Sequence, residues 1–224
     1  MYFCASIHER KNSKMSATAR FIGISRNRLA TDGKGVTTLA AFWGCPLLCQ
    51  YCLNPQSLTE SQNLRTLTAE ELYHVVKIDE LYFLATCGGI TFGGGEPCLY
   101  PDFIAEFRTF CGEQWNITVE TSLNVPYKNL EKLYPVVDNY IVDIKDINDD
   151  IYKLYTGKNN HLPIANLNRL VELGKADKIR VRVPLIPNFN TKKDTEKTIS
   201  ALNKIGICDI ETFSYIIKSK NVTS

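Results

Sequence analysis

The sequence predicts an α/β fold built on a parallel sheet. Apolar, strand-like stretches alternate along the chain with stretches whose apolar residues recur at helical spacing. Successive strand candidates also lie too far apart to form hairpins, and parallel neighbours need the long crossover connections that helices supply. At 224 residues, with 44% hydrophobic and 22% charged residues, the chain has the size and composition of one globular domain.

The regular alternation begins at residue 36. The preceding 35 residues are less regular, and Lys11–Lys14 and Asp32–Gly35 are typical of loops or turns. The strand candidates after them are residues 36–43, 89–92, 115–119, 140–144 and 178–186, with a weaker one at 207–213.

Two of the predicted helices begin at explicit local signals. Thr68-Ala-Glu-Glu71 is a capping box that opens a helix with Leu72, Val75 and Val76 on one face. Pro101 suits the first turn of a second helix, which carries phenylalanines at helical spacing. Further helices fit near residues 127–134, 148–155, 163–174 and 191–204.

Charge and hydropathy exclude several classes of protein. The net charge is +2 and the charges are scattered, so nothing favours nucleic acid or an anionic membrane as a partner. No apolar stretch approaches the length of a membrane span, and residues 1–7 meet charged residues too soon for a secretory signal. A cytoplasmic location is therefore predicted.

The cysteines point to metal or redox chemistry. Without an export signal, the eight cysteines do not suggest a disulfide framework. Five of them are spread singly and are interpreted as small buried hydrophobes: Cys4, Cys87, Cys98, Cys111 and Cys208.

The other three form the loop Cys45-Pro-Leu-Leu-Cys49-Gln-Tyr-Cys52, directly after the first predicted strand. A loop that leaves a strand can wrap three thiolates around one cluster. On a four-iron cluster, three thiolates leave one iron open, and an open position distinguishes a reactive metal site from a structural one. The alternatives are a zinc site, for which no second cysteine pair is present, and three unrelated core cysteines.

Further polar and glycine-rich segments follow the next predicted strands. Gly93-Gly-Gly-Glu-Pro97 follows the second strand, Glu120-Thr-Ser122 follows the third, and Asp143 and Lys145 close the fourth. Ligands of parallel sheets gather at the carboxyl ends of the strands. We therefore expect these segments and the cysteine loop to share one rim.

Two of these segments have a simple alternative interpretation. A run of three glycines lets a backbone approach a ligand closely, and Glu96 beside it suggests a clamp for a cationic amine. Three glycines are also common in an ordinary turn. Asp143 and Lys145 are expected to take part in the activity. The alternative is that they form an exposed ion pair that contributes under about 1 kcal/mol to stability.

In this order, the motifs resemble those of the radical SAM superfamily, and within it most closely the glycyl radical enzyme activating enzymes. The cysteine loop has an aromatic residue, Tyr51, before its last cysteine. The resemblance covers about residues 31–205. Its further motifs are Asp32–Gly35, Thr91–Pro97, Asp143–Lys145, Thr156-Gly157, Asn166-Leu167 and Arg182–Pro187.

The resemblance implies a partial (β/α)6 TIM-like barrel of parallel strands, formed by residues 36–224, with residues 1–35 packed on it as an N-terminal segment. It also implies a [4Fe-4S] cluster on Cys45, Cys49 and Cys52, whose open iron is chelated by S-adenosylmethionine (SAM). The SAM contacts that it implies come from Tyr51, Gly93, Gly94, Gly95, Glu96, Ser122, Asp143, Lys145 and Arg182. Glu120, with Thr121 and Asp143, would form a monovalent cation site.

The implied activity is reductive cleavage of SAM to a 5′-deoxyadenosyl radical, which takes hydrogen from a glycine Cα of a partner glycyl radical enzyme. A flavodoxin- or ferredoxin-type protein would donate the electron. Two alternatives stand beside it: a radical SAM enzyme that modifies a ribosomal peptide or a small molecule, and a non-catalytic zinc or iron–sulfur module.

The chain departs from the family pattern in two places. It has no cysteine-rich insertion between Cys52 and Gly93, which indicates a minimal, single-cluster form. The stretch Glu211–Tyr215 lacks the Pro-Tyr-His that closes the SAM pocket in similar proteins. Another group then contacts the adenosine, or the substrate differs.

Overall fold

The structure is a computed structural model that describes residues 16–29 and 31–215. Its strands are β1 (Thr18–Leu29), β2 (Val36–Phe42), β3 (Arg65–Thr68), β4 (Gly89–Gly94), β5 (Asn116–Thr121), β6 (Asn139–Asp143), β7 (Ile179–Leu185) and β8 (Asp209–Ser214). Its α-helices are α1 (Ala69–Val76), α2 (Glu80–Thr86), α3 (Pro101–Cys111), α4 (Tyr127–Leu133), α5 (Asp149–Thr156), α6 (His161–Glu172) and α7 (Lys192–Lys204).

The strands described by the structure form one open sheet of eight, in the order β3-β1-β2-β4-β5-β6-β7-β8. From β2 to β8 every neighbouring pair is parallel. These six strands are the predicted ones, and helices connect the successive pairs from β4 to β8. The predicted α/β fold with a partial barrel of parallel strands is confirmed.

The sheet extends beyond the prediction on one side. β1 pairs with β2 and β3 in antiparallel fashion, and the connection from β1 to β2 is short. No strand was predicted before residue 36, and β1 (Thr18–Leu29) is therefore an addition to the predicted sheet, whereas Asp32–Gly35 is a loop as predicted. β1 carries several charged and small residues, and its pairing partner β3 lies far along the chain, so local pattern gave little sign of either strand. Lys11–Lys14 and Cys4 lie outside the described residues.

The predicted helix starts are confirmed. Thr68 accepts a hydrogen bond from the amide of Glu71 at 3.1 Å, and Glu71 accepts one from the amide of Thr68 at 2.8 Å. Pro101 occupies the first turn of α3. The short helix α2, which leaves Leu81 and Tyr82 exposed, was not predicted.

The core lies between the sheet and the helices on its outer face. Phe42 on β2 is fully buried, with its ring centroid 4.7 Å from that of Phe21 on β1 and 5.5 Å from that of Phe92 on β4. Phe103 on α3 packs edge-on against the same ring. Burying each such side chain is worth about 1.5–3 kcal/mol, so this cluster fixes β1 firmly to the parallel strands.

The described cysteines outside the cysteine loop differ in burial. Cys98 and Cys111 are buried, as predicted, whereas Cys87 and Cys208 are exposed. Cys87 ends α2 in a left-handed conformation, and Cys208 directly precedes β8, so both lie in connecting segments outside the core. Within the described ranges, no helix is both long and apolar enough to cross a membrane.

Candidate active site

The predicted rim exists and encloses a cavity of about 160 Å³ at the carboxyl ends of the parallel strands. All the sequence-predicted site residues except Tyr51 and Gly93 line it. These are Cys45, Cys49, Cys52, Gly94, Gly95, Glu96, Glu120, Ser122, Asp143, Lys145 and Arg182. Residues from β2 to β7 therefore meet at one place, although they are spread over more than half of the chain.

The cysteine loop leaves the end of β2 and forms one wall of the cavity. Cys45, Cys49 and Cys52 are half-buried free thiols. Burial, reinforced by the charge of Glu96, raises the pKa of Cys45 to about 12. Burial also raises the pKa of Cys49 to about 11, although Lys145 acts in the opposite direction. The metal-free thiols of Cys45 and Cys49 are therefore protonated near neutral pH, and metal binding would release their protons.

The three glycines at the end of β4 pack closely against other parts of the protein. A Cβ at Gly95 would lie 2.2 Å from the carbonyl oxygen of Gly44, and one at Gly94, where φ is +87°, would lie 2.7 Å from Ala41. The amides of Gly95 and Glu96 donate to the carbonyls of Phe42 and Gly44 at 2.9 and 2.7 Å. The glycines thus allow the end of β4 to pack directly on the start of the cysteine loop.

Gly93 lies deeper than the other two glycines. A Cβ there would lie 2.7 Å from Oε2 of Glu120. The absence of a side chain at Gly93 therefore makes room for the Glu120 carboxylate on the neighbouring strand.

The carboxylate of Glu96 is buried and is held by protein donors. Its Oε2 accepts hydrogen bonds from the amide and hydroxyl of Ser122 at 2.9 and 2.6 Å, and its Oε1 accepts from Thr121 Oγ1 at 2.6 Å and from the amide of Cys98 at 3.2 Å. Burial raises the pKa of Glu96, and these hydrogen bonds lower it in part. Glu96 therefore holds the ends of β4 and β5 together. Because its oxygens already accept hydrogen bonds from the protein, the backbone of Gly94 and Gly95 is more available than Glu96 to the predicted amine.

Asp143 and Lys145 form a partly buried ion pair in the cavity. Lys145 Nζ lies 2.9 Å from Asp143 Oδ2 and 3.3 Å from the hydroxyl of Tyr215. Burial lowers the pKa of Lys145, but the surrounding acidic groups, Asp143 foremost, together outweigh burial and raise the pKa well above its usual value. The other oxygen, Asp143 Oδ1, is buried without a hydrogen-bond partner among the described residues, so it is placed to accept one from a ligand.

Arg182 connects the cavity to the loop between β1 and β2. Its Nη1 lies 2.9 Å from Glu120 Oε1, its Nε lies 3.2 Å from Glu211 Oε2, and its Nη2 donates to the carbonyl of Thr31 at 2.6 Å. Asp32 in the same loop is buried, pairs with Arg28 and accepts a hydrogen bond from Thr91 through its carbonyl. The loop that contains Asp32–Gly35 is therefore joined to β4 through Thr91 and to the cavity through Arg182.

The carboxylate of Glu120 is largely buried and lies beside the positive charge of Arg182. Burial raises its pKa to about 6, although the Arg182 guanidinium lowers it. Arg182 thus supplies a positive charge where a monovalent cation was expected. The cation site on Glu120, Thr121 and Asp143 stays a prediction.

Tyr51 lies beside the cavity in an aromatic cluster. Its ring centroid is 5.7 Å from that of Phe189, 6.1 Å from that of Tyr155 and 6.3 Å from that of Tyr215. Its hydroxyl accepts a hydrogen bond from Asn188 at 3.3 Å. The expected contact of Tyr51 with adenine stays a prediction.

Sequence reasoning did not assign a role to several residues of the cavity wall: Leu47, Leu53, Asn54 and Tyr215. Tyr215 directly follows β8, so the rule that ligands gather at carboxyl ends of strands could have identified it. Asn54 donates to the carbonyl of Gly94 at 3.2 Å, a contact between distant segments that no local pattern indicates.

The residues present fit an iron–sulfur cluster with SAM. The loop supplies three free thiols, and the cavity beside it is lined by the half-buried Gly94 and Gly95 and by Asp143, one of whose carboxylate oxygens has no partner among the described residues. Across residues 16–29 and 31–215, no three His, Cys, Asp or Glu side chains are placed to hold a single metal ion. A cluster does not require such a group, because each of its thiolates binds a separate iron.

Comparison with known proteins identifies the family of the chain. The radical SAM superfamily matches residues 42–207, so the chain belongs to that superfamily. This range contains all the predicted site residues. The α/β partial barrel and the cysteine loop are the features of the chain that define this class.

Within the superfamily, the chain is similar to activating enzymes of glycyl radical enzymes. It is 32% identical to the pyruvate formate-lyase-activating enzyme of Clostridium pasteurianum, over 77% of this chain and 71% of that one. It is 37% identical to the indoleacetate decarboxylase activating enzyme of Tractidigestivibacter scatoligenes, over 51% of this chain but only 36% of that one. The resemblance to this group of radical SAM enzymes is confirmed.

The fold also matches a solved structure. SuiB of Streptococcus suis bound to S-adenosylmethionine superposes with a TM-score of 0.60, covering 82% of this chain and 39% of SuiB, at 14% sequence identity. At this identity the match concerns the fold.

Proposed function

We propose that this radical SAM enzyme installs a glycyl radical on a partner enzyme. The observation that carries the proposal is the convergence of the cysteine loop, Gly94–Glu96, Asp143–Lys145 and Arg182 on one cavity. When bound, a reduced [4Fe-4S] cluster would donate one electron to SAM, whose cleavage would give methionine and a 5′-deoxyadenosyl radical; hydrogen transfer from a glycine Cα would then give 5′-deoxyadenosine and the glycyl radical.

The chain's own groups bind and orient SAM. The backbone of Gly94 and Gly95 faces the amine, and Glu96 holds the strand ends that carry these glycines. Lys145 offers a fixed positive charge to the SAM carboxylate, and Asp143 Oδ1 accepts a hydrogen bond. Arg182 fixes Glu120 at the floor of the cavity. Such preorganisation places the reacting atoms before the chemistry begins.

The shape of the sheet supports a polypeptide substrate. The described strands form an open sheet with β3 and β8 as its edges, and we propose that the cavity has a lateral mouth between these edges. A closed barrel of eight parallel strands would lack this mouth. The similarity to activating enzymes, whose names specify enzymes as their targets, supports the same partner class. A flavodoxin- or ferredoxin-type protein is the proposed electron donor.

The test is anaerobic reconstitution with iron and sulfide, reduction, addition of SAM, and quantification of 5′-deoxyadenosine with and without candidate glycyl radical enzymes. The proposal expects the nucleoside to form and a partner to stimulate its formation. If the nucleoside forms but only a peptide or small molecule stimulates it, a different radical SAM reaction is indicated. Absence of the nucleoside from cluster-loaded protein would favour a non-catalytic iron–sulfur module.

A further inference from the structure

The last turn of α5 lies directly against the cysteine loop. The amide of Leu48 donates to the carbonyl of Thr156 at 2.9 Å, and the amide of Gln50 donates to the carbonyl of Tyr155 at 3.1 Å. These two amides flank Cys49 on both sides. The last carbonyls of a helix have no partner within the helix, and here the cysteine loop supplies two of the missing donors.

A side-chain contact strengthens the same junction. Tyr155 is buried, and its ring centroid lies 6.1 Å from that of Tyr51, the residue before Cys52. The exposed side chain of Leu48 contributes little, so backbone hydrogen bonds and one aromatic contact join α5 to the loop.

Two residues shape this end of α5. Gly157 ends the helix with φ +77°, a left-handed conformation that glycine adopts readily. Thr156 is fully buried, and its hydroxyl donates to the carbonyl of Tyr152 at 2.8 Å. Together they orient the carbonyls of Tyr155 and Thr156 towards the loop.

We propose that the last turn of α5 positions Cys49 for cluster binding, with Thr156 and Gly157 as positioning residues. The inference rests on the proposed function, because it takes Cys49 as a cluster ligand. Groups that orient the ligands of a metal site are as much a part of it as the ligands themselves. The competing explanation is that this turn serves only to hold α5 on the sheet.

The chain offers a matched pair of glycines to separate these explanations. Gly174 follows α6 with φ +71°, and no atom lies within 4 Å of a Cβ built on it. At Gly157 the nearest atom to such a Cβ is Leu48 Cβ at 3.8 Å, an ordinary contact. Gly157→Ala and Gly174→Ala therefore introduce the same backbone strain without a clash, but only Gly157 adjoins the cysteine loop.

The experiment compares wild type, Gly157→Ala, Gly157→Asn and Gly174→Ala after identical anaerobic reconstitution. Iron release to a chelator is followed over time, and the spectrum of the reduced cluster is recorded. Thermal unfolding of the metal-free proteins measures the general effect on stability.

We expect Gly157→Ala to release iron about tenfold faster than wild type. This is the lower end of the loss of metal affinity that follows when residues orienting metal ligands are mutated. Gly174→Ala should lose similar thermal stability but retain iron like wild type. Gly157→Asn should recover much of the retention, because asparagine tolerates the left-handed conformation better than alanine.

Equal rates of iron release from Gly157→Ala and Gly174→Ala would overturn the inference. It would also be overturned if the lower thermal stability of Gly157→Ala fully accounted for its faster iron release. Either result leaves the proposed function intact. Failure of the wild type to assemble a cluster would instead overturn the proposed function.

Discussion

Cys45, Cys49 and Cys52 differ from the other described cysteines in their surroundings. They are half-buried in one loop beside a polar cavity, whereas Cys98 and Cys111 lie in the core. A group that must bind a metal and then meet a substrate needs this intermediate exposure, because a buried thiol is inert.

Cys49→Ala is expected to abolish both cluster assembly and SAM cleavage. Two thiolates cannot replace three, and the variant loses the ligand at the centre of the loop. Iron and sulfide content and 5′-deoxyadenosine formation measure the effect. Cys208→Ala, at an exposed thiol outside the cavity, is the control and should behave like wild type. Cleavage by Cys49→Ala would refute the cluster assignment.

Glu120 predicts a specific pH dependence of stability. Its folded pKa of about 6 exceeds its usual 4.5, so the folded protein binds this proton more tightly than the unfolded chain does. Its contribution to stability is therefore complete below pH 4.5 and is lost as the pH rises through about 6. A shift of this size corresponds to about 2 kcal/mol.

Glu120→Gln cannot titrate, so wild type should lose about 2 kcal/mol more unfolding free energy than this variant between about pH 4 and 7. Denaturant unfolding of both metal-free proteins across this range measures the difference. Parallel stability profiles for the two proteins would show that Glu120 titrates normally.

Sequence spacing predicted those cavity residues that belong to compact motifs. The cysteine loop, Gly94–Glu96 and Asp143–Lys145 each occupy a few consecutive positions, and the rule for strand ends brings them together. The same reasoning could not find that Glu96 is held by Ser122, or that Arg182 bonds to Thr31. These contacts depend on how neighbouring strands and loops are placed, and side-chain identity alone does not encode that.

At the scale of elements, buried asparagines hold the loops that carry the site. Asn166 on α6 donates to the carbonyls of Leu123 and Val125, both at 2.9 Å. Leu123 has φ +55°, so the loop after β5 needs this support to keep its shape. The loop begins at Ser122, which holds Glu96.

Asn166→Ala should lower the unfolding free energy by about 1–3 kcal/mol, because two buried carbonyls lose their donor. It should also weaken SAM binding, since Ser122 and Glu96 lose their support. Denaturant unfolding and a binding titration of the reconstituted protein test the two effects. Asn116→Ala removes one hydrogen bond, to Cys87, at the opposite end of β5, and it should leave SAM affinity unchanged. Equal SAM affinity of both variants would contradict the proposed role of Asn166.

Elements with local signals were predictable, and elements defined by distant partners were not. The capping box of Thr68 and Glu71 and the proline at residue 101 fixed the starts of α1 and α3. β1 forms because its Phe21 packs on Phe42 and its backbone pairs with both β2 and β3. That stabilisation exists only in the folded sheet, so no window of the sequence reveals it.

At the scale of the molecule, the open sheet combines two requirements of the proposed reaction. The parallel strands bring their carboxyl ends to one cavity, and the strands described by the structure form an open sheet with β3 and β8 as its edges. In the proposed function, a glycine in a polypeptide loop approaches the site while the rest of its protein stays outside.

The most direct test of this account follows the hydrogen atom. The reconstituted enzyme is incubated with reductant, SAM and a partner glycyl radical enzyme labelled with glycine deuterated at Cα, and 5′-deoxyadenosine is analysed by mass spectrometry. We predict that deuterium appears in the nucleoside while a glycyl radical signal grows in the partner's electron paramagnetic resonance spectrum. Unlabelled nucleoside and a partner without a radical, from an enzyme that cleaves SAM, would contradict the account.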